Sequence, residues 1–160
     1  MNPEFILMSR ARQQKGTQRL PIAIFVDVDG TLAGPYRQGR RELRPSAVQA
    51  LAMLAEVAPV FLWSAVGADN PQRLLQEFPA LRPHVEGCYG KLDFPLHTVD
   101  LAYAIDDQAL DDPVLACHRV GLCESYWGGA EDDEFLGLAS AIVAEIRALP
   151  VGRPSNPPGS

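Results

Sequence analysis

The stretch Ile22-Ala23-Ile24-Phe25-Val26-Asp27-Val28-Asp29-Gly30-Thr31-Leu32 decides how this chain folds. Its first half, Ile22 to Val26, is an unbroken apolar run. That is the pattern of a strand buried on both faces of a parallel sheet, whereas alternation would mark a half-exposed strand. The run ends abruptly in acid, with Asp27 and Asp29 two residues apart and Gly30 behind them. An Asp-Gly pair after a strand can be no more than a solvated turn. Yet two carboxylates at the mouth of a buried strand repel one another by several kcal/mol unless a proton or a divalent cation neutralises them. A hard cation such as Mg²⁺ takes oxygen ligands of this kind, and a carboxylate can also attack phosphorus to form an aspartyl-phosphate.

Outward from this strand, short apolar runs alternate with helical patterns, the signature of a parallel sheet covered by helices. Ser46 is placed to cap a helix through Val48, Leu51, Leu54 and Val57, and Pro59 stops it before a second strand, Val60-Phe61-Leu62-Trp63. Asn70 is placed to cap the next helix, with Pro71 at its first position and Leu74, Leu75 and Phe78 on the buried side. Val85 to Tyr89 and Leu101 to Ile105 read as third and fourth strands. Asp112-Pro113 opens another helix, Leu122 to Tyr126 reads as a fifth strand, and a last helix is expected from about Asp132 to Leu149. The fold class expected is α/β: a doubly wound, mostly parallel five-stranded sheet with helices on both faces. Ligands of such sheets sit beyond the carboxyl ends of the strands.

Composition narrows the class further. A length of 160 residues suits one domain, and 47% hydrophobic with 21% charged residues excludes disorder throughout and a collagen-like fibre. The net charge of −6 makes the chain as a whole repel nucleic-acid phosphates, so nucleic acid is an unfavoured partner whose contacts would have to be local. Cys88, Cys117 and Cys123 form no C-x-x-C pair and suggest neither a disulfide framework nor a zinc knuckle; three reduced thiols fit a cytoplasmic protein. Every apolar run falls far short of the ~20 residues that cross a bilayer, so no membrane partner is expected. Residues 1–20 read as a tag-like or flexible segment. Glu4-Phe5 ahead of Met8 looks like translated vector sequence, and Arg10, Arg12, Lys15 and Arg19 make a basic lead-in. Residues 21–149 form the expected domain, and 150–160, rich in Pro, Gly and Ser, a disordered tail.

Asp27-Val28-Asp29-Gly30-Thr31-Leu32 after a hydrophobic strand resembles motif I of the haloacid dehalogenase-like (HAD) superfamily in its phosphatase form. The resemblance implies that Asp27 is the nucleophile and a Mg²⁺ ligand. It makes Asp29 the general acid/base, its backbone carbonyl also on the metal, and sets Thr31 against the substrate. An acid at position 29 is absent from the family's dehalogenases and P-type ATPases, which points to phosphoryl transfer. Ser64, ending the second strand, falls where the family's second motif has a Ser or Thr that donates to a phosphoryl oxygen. Lys91, the only lysine after Lys15, falls at the third motif, with Arg82 as the fallback. The connection from Lys91 to the fourth strand is short and holds Pro95, leaving little room for the family's usual helix. Ile105-Asp106-Asp107-Gln108-Ala109-Leu110-Asp111-Asp112 resembles the fourth motif. Aligned so, Asp107 is the metal ligand and Asp106 the runner-up. Asp111 orients the lysine or the metal site, and Asp112 is an ordinary helix N-cap.

The family's cap domains are inserted between the first and second motifs or between the second and third. Here 36 residues separate Asp27 from Ser64 and 26 separate Ser64 from Lys91, and a helix and a strand already fill each gap. The resemblance therefore implies a capless, Mg²⁺-dependent phosphatase acting on a phosphate monoester, with a small phosphorylated metabolite as substrate. Capless members act on large substrates or close the site by homo-oligomerisation. The alternatives are a phosphatase of a nucleic-acid end or phosphoprotein, and a non-catalytic phosphate-binding module. Arg37, Arg40, Arg41 and Arg44 crowd the loop after motif I. There they are either solvated or a grip for a polyanionic substrate, since arginine binds phosphate and carboxylate bidentately. His84, His97 and His118 lack metal-ligand spacing and read as surface or packing residues, and Trp63 as a sheet residue.

Overall fold

The computed structural model describes residues 19–108 and 112–150. Five strands alternate with helices: β1 (Leu20–Asp27), α1 (Ala47–Ala55), β2 (Val60–Ser64), α2 (Asp69–Glu77), β3 (Gly87–Gly90), β4 (Val99–Asp106), α3 (Asp112–Leu115), β5 (Arg119–Leu122) and α4 (Glu134–Arg147). Two 3-10 turns, Pro79–His84 and Leu96–Thr98, precede β3 and β4. The sheet order is β3-β2-β1-β4-β5 and every pairing is parallel. β1 lies at the centre, and Ala23 through Val26 are fully buried, as the unbroken apolar run requires.

The two faces are covered unequally. On one, Leu51 and Leu54 of α1 and Phe135, Ala139 and Ile142 of α4 pack with Ile24, Val26, Leu62 and Tyr103 of the sheet, joined by Leu74 of α2. Among the described residues, the other face carries only the short α3 and the connection from β3 to β4. The expected layering on both faces is thus met by long helices on one side alone. An aromatic cluster takes the place of a helix. Phe25 stacks on Trp63 at 4.5 Å and on Phe61 at 5.5 Å, while Phe94 from the connection sets its edge on Phe25 at 4.7 Å and on Tyr89 at 4.9 Å. Such pairs add about 0.5–1.5 kcal/mol each beyond the area they bury, which lets eight residues do a helix's work.

Three local expectations fail for identifiable reasons. Ser46 precedes α1 with φ at 64°, outside the extended geometry of a capping residue, and its hydroxyl caps nothing. Asn70 is not a cap, because α2 begins at Asp69. Pro71 is accommodated within the first turn, where its missing N–H costs no hydrogen bond. The fifth strand is Arg119–Leu122, not Leu122 to Tyr126. The chain after Leu122 turns back over the strand ends, with Cys123 N donating to the Asp106 carbonyl at 3.0 Å and Tyr126 N to that of Gly30 at 2.8 Å.

The fold also begins earlier than expected, since Leu20 pairs with Val99 and Arg19 is bonded to Asp100. The remainder of the expected lead-in (1–18) and the tail from 151 lie outside the described residues. Cys88, Cys117 and Cys123 are free thiols. Among the described residues, no helix is long and apolar enough to cross a membrane.

Candidate functional site

Parallel strands point their carboxyl ends the same way, so Lys91, Ser64, Asp27 and Asp106 emerge at one edge in the order of the sheet. Strands lie about 4.8 Å apart, which puts Lys91 two strand spacings from Asp27. Only a long side chain can cover that span. Lys91 Nζ reaches Asp27 Oδ1 at 3.3 Å and Asp106 Oδ2 at 2.8 Å, and its backbone N–H donates to the Ser64 carbonyl at 2.9 Å. Arg82, the fallback for this position, lies in the 3-10 turn before β3 and donates to the Leu75 carbonyl instead.

One carboxylate oxygen from each of Asp27, Asp106 and Asp107 lies within 4.8 Å of the other two, a cluster that could hold a metal ion. Thr31 Oγ1 donates to Asp27 Oδ2 at 3.1 Å and sits 3.5 Å from Asp107 Oδ1, while Ser125 Oγ donates to Asp107 Oδ2 at 2.6 Å. Gly30 makes this closeness possible. Its φ is 77°, and a Cβ there would fall inside the Asp107 carboxylate. The electrostatics explain why a cation fits. Burial, then the charges of Asp106 and Asp107, push Asp27 up to about 8 against the pull of Lys91. Asp106 is also raised, by burial, although Lys91 and the Gln108 N–H bond to it. One ammonium therefore does not balance three acids, and an all-oxygen donor set suits a hard divalent cation. Lys91 is oriented here by Asp106. Asp111, expected in that role, lies outside the described residues, as does the side chain of Asp112.

The Asp29 side chain takes no part in this cluster. It is 60% exposed and belongs to a second network: Asn70 Nδ2 donates to Asp29 Oδ2 at 2.6 Å and to Ser64 Oγ at 3.1 Å, and Arg41 Nη1 stands 3.5 Å from Asp29 Oδ1. Arg41 itself is buried. Its Nη1 donates to Asn70 Oδ1 at 3.2 Å and its Nε to Glu77 Oε2 at 3.2 Å, while the Tyr36 ring covers the guanidinium and its hydroxyl bonds Glu77. Asn70 and Glu77 were missed as site residues because each has an ordinary role in an amphipathic helix. The one signal was Asn70's position six residues past Ser64, which brings the first turn of α2 back over the end of β2.

The arginines of the loop after Asp27 divide by depth. Arg44 is fully buried and structural, holding Asp132 at 3.0 Å, Glu134 at 3.3 Å and the Thr31 carbonyl at 3.3 Å. Arg37 and Arg40 are exposed and touch neither network. They line a cleft of about 280 Å³ that adjoins a second of about 230 Å³ lined by Asp29, Asp107 and Ser125; Pro35 and Trp127 border both. Trp63 is buried in the sheet, and His97 and His118 are exposed. No protein-family model matches the chain, and no curated protein is significantly similar to it.

Proposed function

We propose that this chain is a capless HAD-like phosphatase that hydrolyses phosphate monoesters through an aspartyl-phosphate on Asp27. The observation that carries the reading is the division of labour between the first two acids. Asp27 is buried against Lys91, Asp106 and Asp107, while Asp29, two residues on, faces solvent in a hydrogen-bonded network of its own. Lys91 and a cation at the acid cluster can hold a phosphoryl group against Asp27, while the Asp29 side chain, exposed and outside that cluster, is open to the oxygen of a leaving group. The loop after Asp27, here called the flap, and α1 lie in the connection from β1 to β2, and α2 with a 3-10 turn in that from β2 to β3, which supports the capless reading.

In the first step an Asp27 carboxylate oxygen forms a bond to phosphorus as the bond to the leaving oxygen breaks, and Asp29 gives that oxygen its proton. In the second, Asp29 takes a proton from water, whose oxygen displaces Asp27 and releases inorganic phosphate. Lys91 holds the charge of Asp27 and of the incoming phosphoryl group, and Ser64 and Thr31 offer hydroxyls to the phosphoryl oxygens. Asp27 and Asp107, with Asp106 as a further candidate, would hold Mg²⁺, which would supply positive charge to the phosphoryl oxygens.

The test is phosphate release from p-nitrophenyl phosphate and a panel of sugar and nucleotide phosphates, with Mg²⁺ or with chelator, for the wild type and Asp27→Asn. Turnover that needs Mg²⁺ and vanishes in Asp27→Asn is expected. No turnover on any substrate together with no Mg²⁺ binding would sink the reading in favour of a phosphate-binding module.

A further inference from the structure

Arg37 and Arg40 are directly opposed across an antiparallel bridge, joined by hydrogen bonds of 2.6 Å and 3.0 Å between their backbones. The two residues between them, Gln38 and Gly39, both have positive φ, at 52° and 74°. That is the two-residue turn that closes a tight hairpin, and Gln38 holds a conformation that side chains ordinarily avoid. In such a pair both side chains project from the same face, with Cα atoms about 5.5 Å apart. Like charges placed this way destabilise a hairpin. Among the described residues neither guanidinium has an acidic partner. The acid lining the same cleft, Glu42, accepts hydrogen bonds from Gly129 N at 2.9 Å and the Tyr126 hydroxyl at 3.4 Å. The flap tip thus sets two exposed like charges on one face with no acidic partner among the described residues, and an anion lying across the two arginines would offset both.

Trp127 supplies the second half of the site. It is 66% exposed on a loop that Glu42 ties to the flap and that packs against Gly34, where a Cβ would press on the Gly128 nitrogen at 3.3 Å. Trp127 lines both the arginine cleft and the cleft of Asp29 and Asp107. Each cleft is small for a whole ligand, and Trp127 and Pro35 border both, so a molecule that spans the two lies against these residues.

We propose that Arg37 and Arg40 clamp a second phosphate or carboxylate carried by the substrate's leaving group, and that Trp127 is the platform for a planar ring between that anion and the scissile phosphate. The assignment rests on the phosphatase reading for which phosphate is cleaved, but the clamp is measurable without turnover. The substrate class is a ring-bearing phosphomonoester with a second anionic group, as in a nucleoside bisphosphate.

Three probes separate the contributions: adenosine 3′,5′-bisphosphate has ring and second phosphate, adenosine 5′-monophosphate only the ring, and glucose 1,6-bisphosphate only the second phosphate. Calorimetric binding to the full-length Asp27→Asn chain, with and without Arg37→Gln plus Arg40→Gln, is compared with kcat/KM on the wild-type background. Adenosine bisphosphate is expected to bind about tenfold or more tighter than the monophosphate, the worth of a charge-assisted hydrogen bond. The double substitution should erase that preference, and Trp127→Leu should reduce the preference for adenosine bisphosphate over glucose bisphosphate. Equal binding of mono- and bisphosphate, a preference that survives the double substitution, or binding of none of the probes would overturn the clamp. Hydrolysis without preference would leave the phosphatase standing and the clamp refuted. Arginine-dependent preference without any hydrolysis would do the reverse.

Discussion

Replacing Asp27 by Asn should make the metal-free protein more stable at neutral pH while removing the proposed nucleophile. A carboxyl of ordinary value 3.8 in the unfolded chain is pushed up to about 8 on folding, by burial first and then by Asp106 and Asp107 against Lys91. Between those two values the folded protein holds a proton that the unfolded chain has released. Stability from this group is therefore fully present below 3.8, falls as pH rises, and is gone above about 8. The slope approaches about 1.4 kcal/mol per pH unit, so the wild type should lose about 3 kcal/mol between about pH 5 and about pH 7.5 from this source. That is a large share of the ~5–15 kcal/mol by which domains are ordinarily stable. Asn is nearly isosteric and does not titrate. Urea denaturation of both chains in chelator across this range gives the comparison, and Mg²⁺ added to the wild type should flatten its profile by replacing the proton. A wild-type-minus-variant difference that stays constant across the window would mean that Asp27 is ionised throughout, and the charge balance drawn for the acid cluster would be wrong.

Three further substitutions test separate parts of the site. Asn70→Ala removes the donor shared by Asp29 and Ser64 and should lower kcat by about 10- to 100-fold with a smaller change in KM, read from steady-state kinetics on the best substrate of the panel. Gly30→Ala forces a side chain into a left-handed turn and onto the Asp107 carboxylate, which should cost about 2–4 kcal/mol in denaturant unfolding and weaken Mg²⁺ binding seen by calorimetry. Arg44→Met leaves Asp132 and Glu134 without their shared cation and the Thr31 carbonyl without its donor; a loss of about 3–5 kcal/mol is expected, visible as a lowered Tm in a thermal scan.

What the sequence disclosed and what it hid divide along physical lines. The strand from Ile22 to Val26 and the acids closing it were legible because burial on both faces leaves no alternative to an apolar run. The fifth strand was misplaced because β5 lies at the sheet edge, where Arg119 and Leu122 are exposed and Gly121 breaks the pattern. Lys91 could be singled out by scarcity, but its reach to both Asp27 and Asp106 depends on the sheet order, which one sequence does not print. The loop arginines looked alike as a string. Only the fold separates Arg44, sunk beneath the flap, and Arg41, buried under Tyr36, from Arg37 and Arg40 at the tip.

The uneven covering of the sheet bears on how this site is held. A long helix after β3 would carry the chain away from the strand ends before returning to β4. Here the return takes only residues 91–98, and Phe94 anchors it on Phe25 and Phe61 directly behind the strands that bear Asp27 and Ser64. Lys91 is thereby fixed at both ends of its segment: its backbone N–H is bonded to the Ser64 carbonyl, and the chain three residues on is locked into the aromatic cluster. A lysine has four rotatable bonds, and holding it between two carboxylates costs side-chain entropy of up to about 2 kcal/mol. Shortening the connection reduces the backbone freedom that would add to this cost. The short connection thus stiffens Lys91 at the strand ends, with Tyr89 and Phe94 packing it against the sheet.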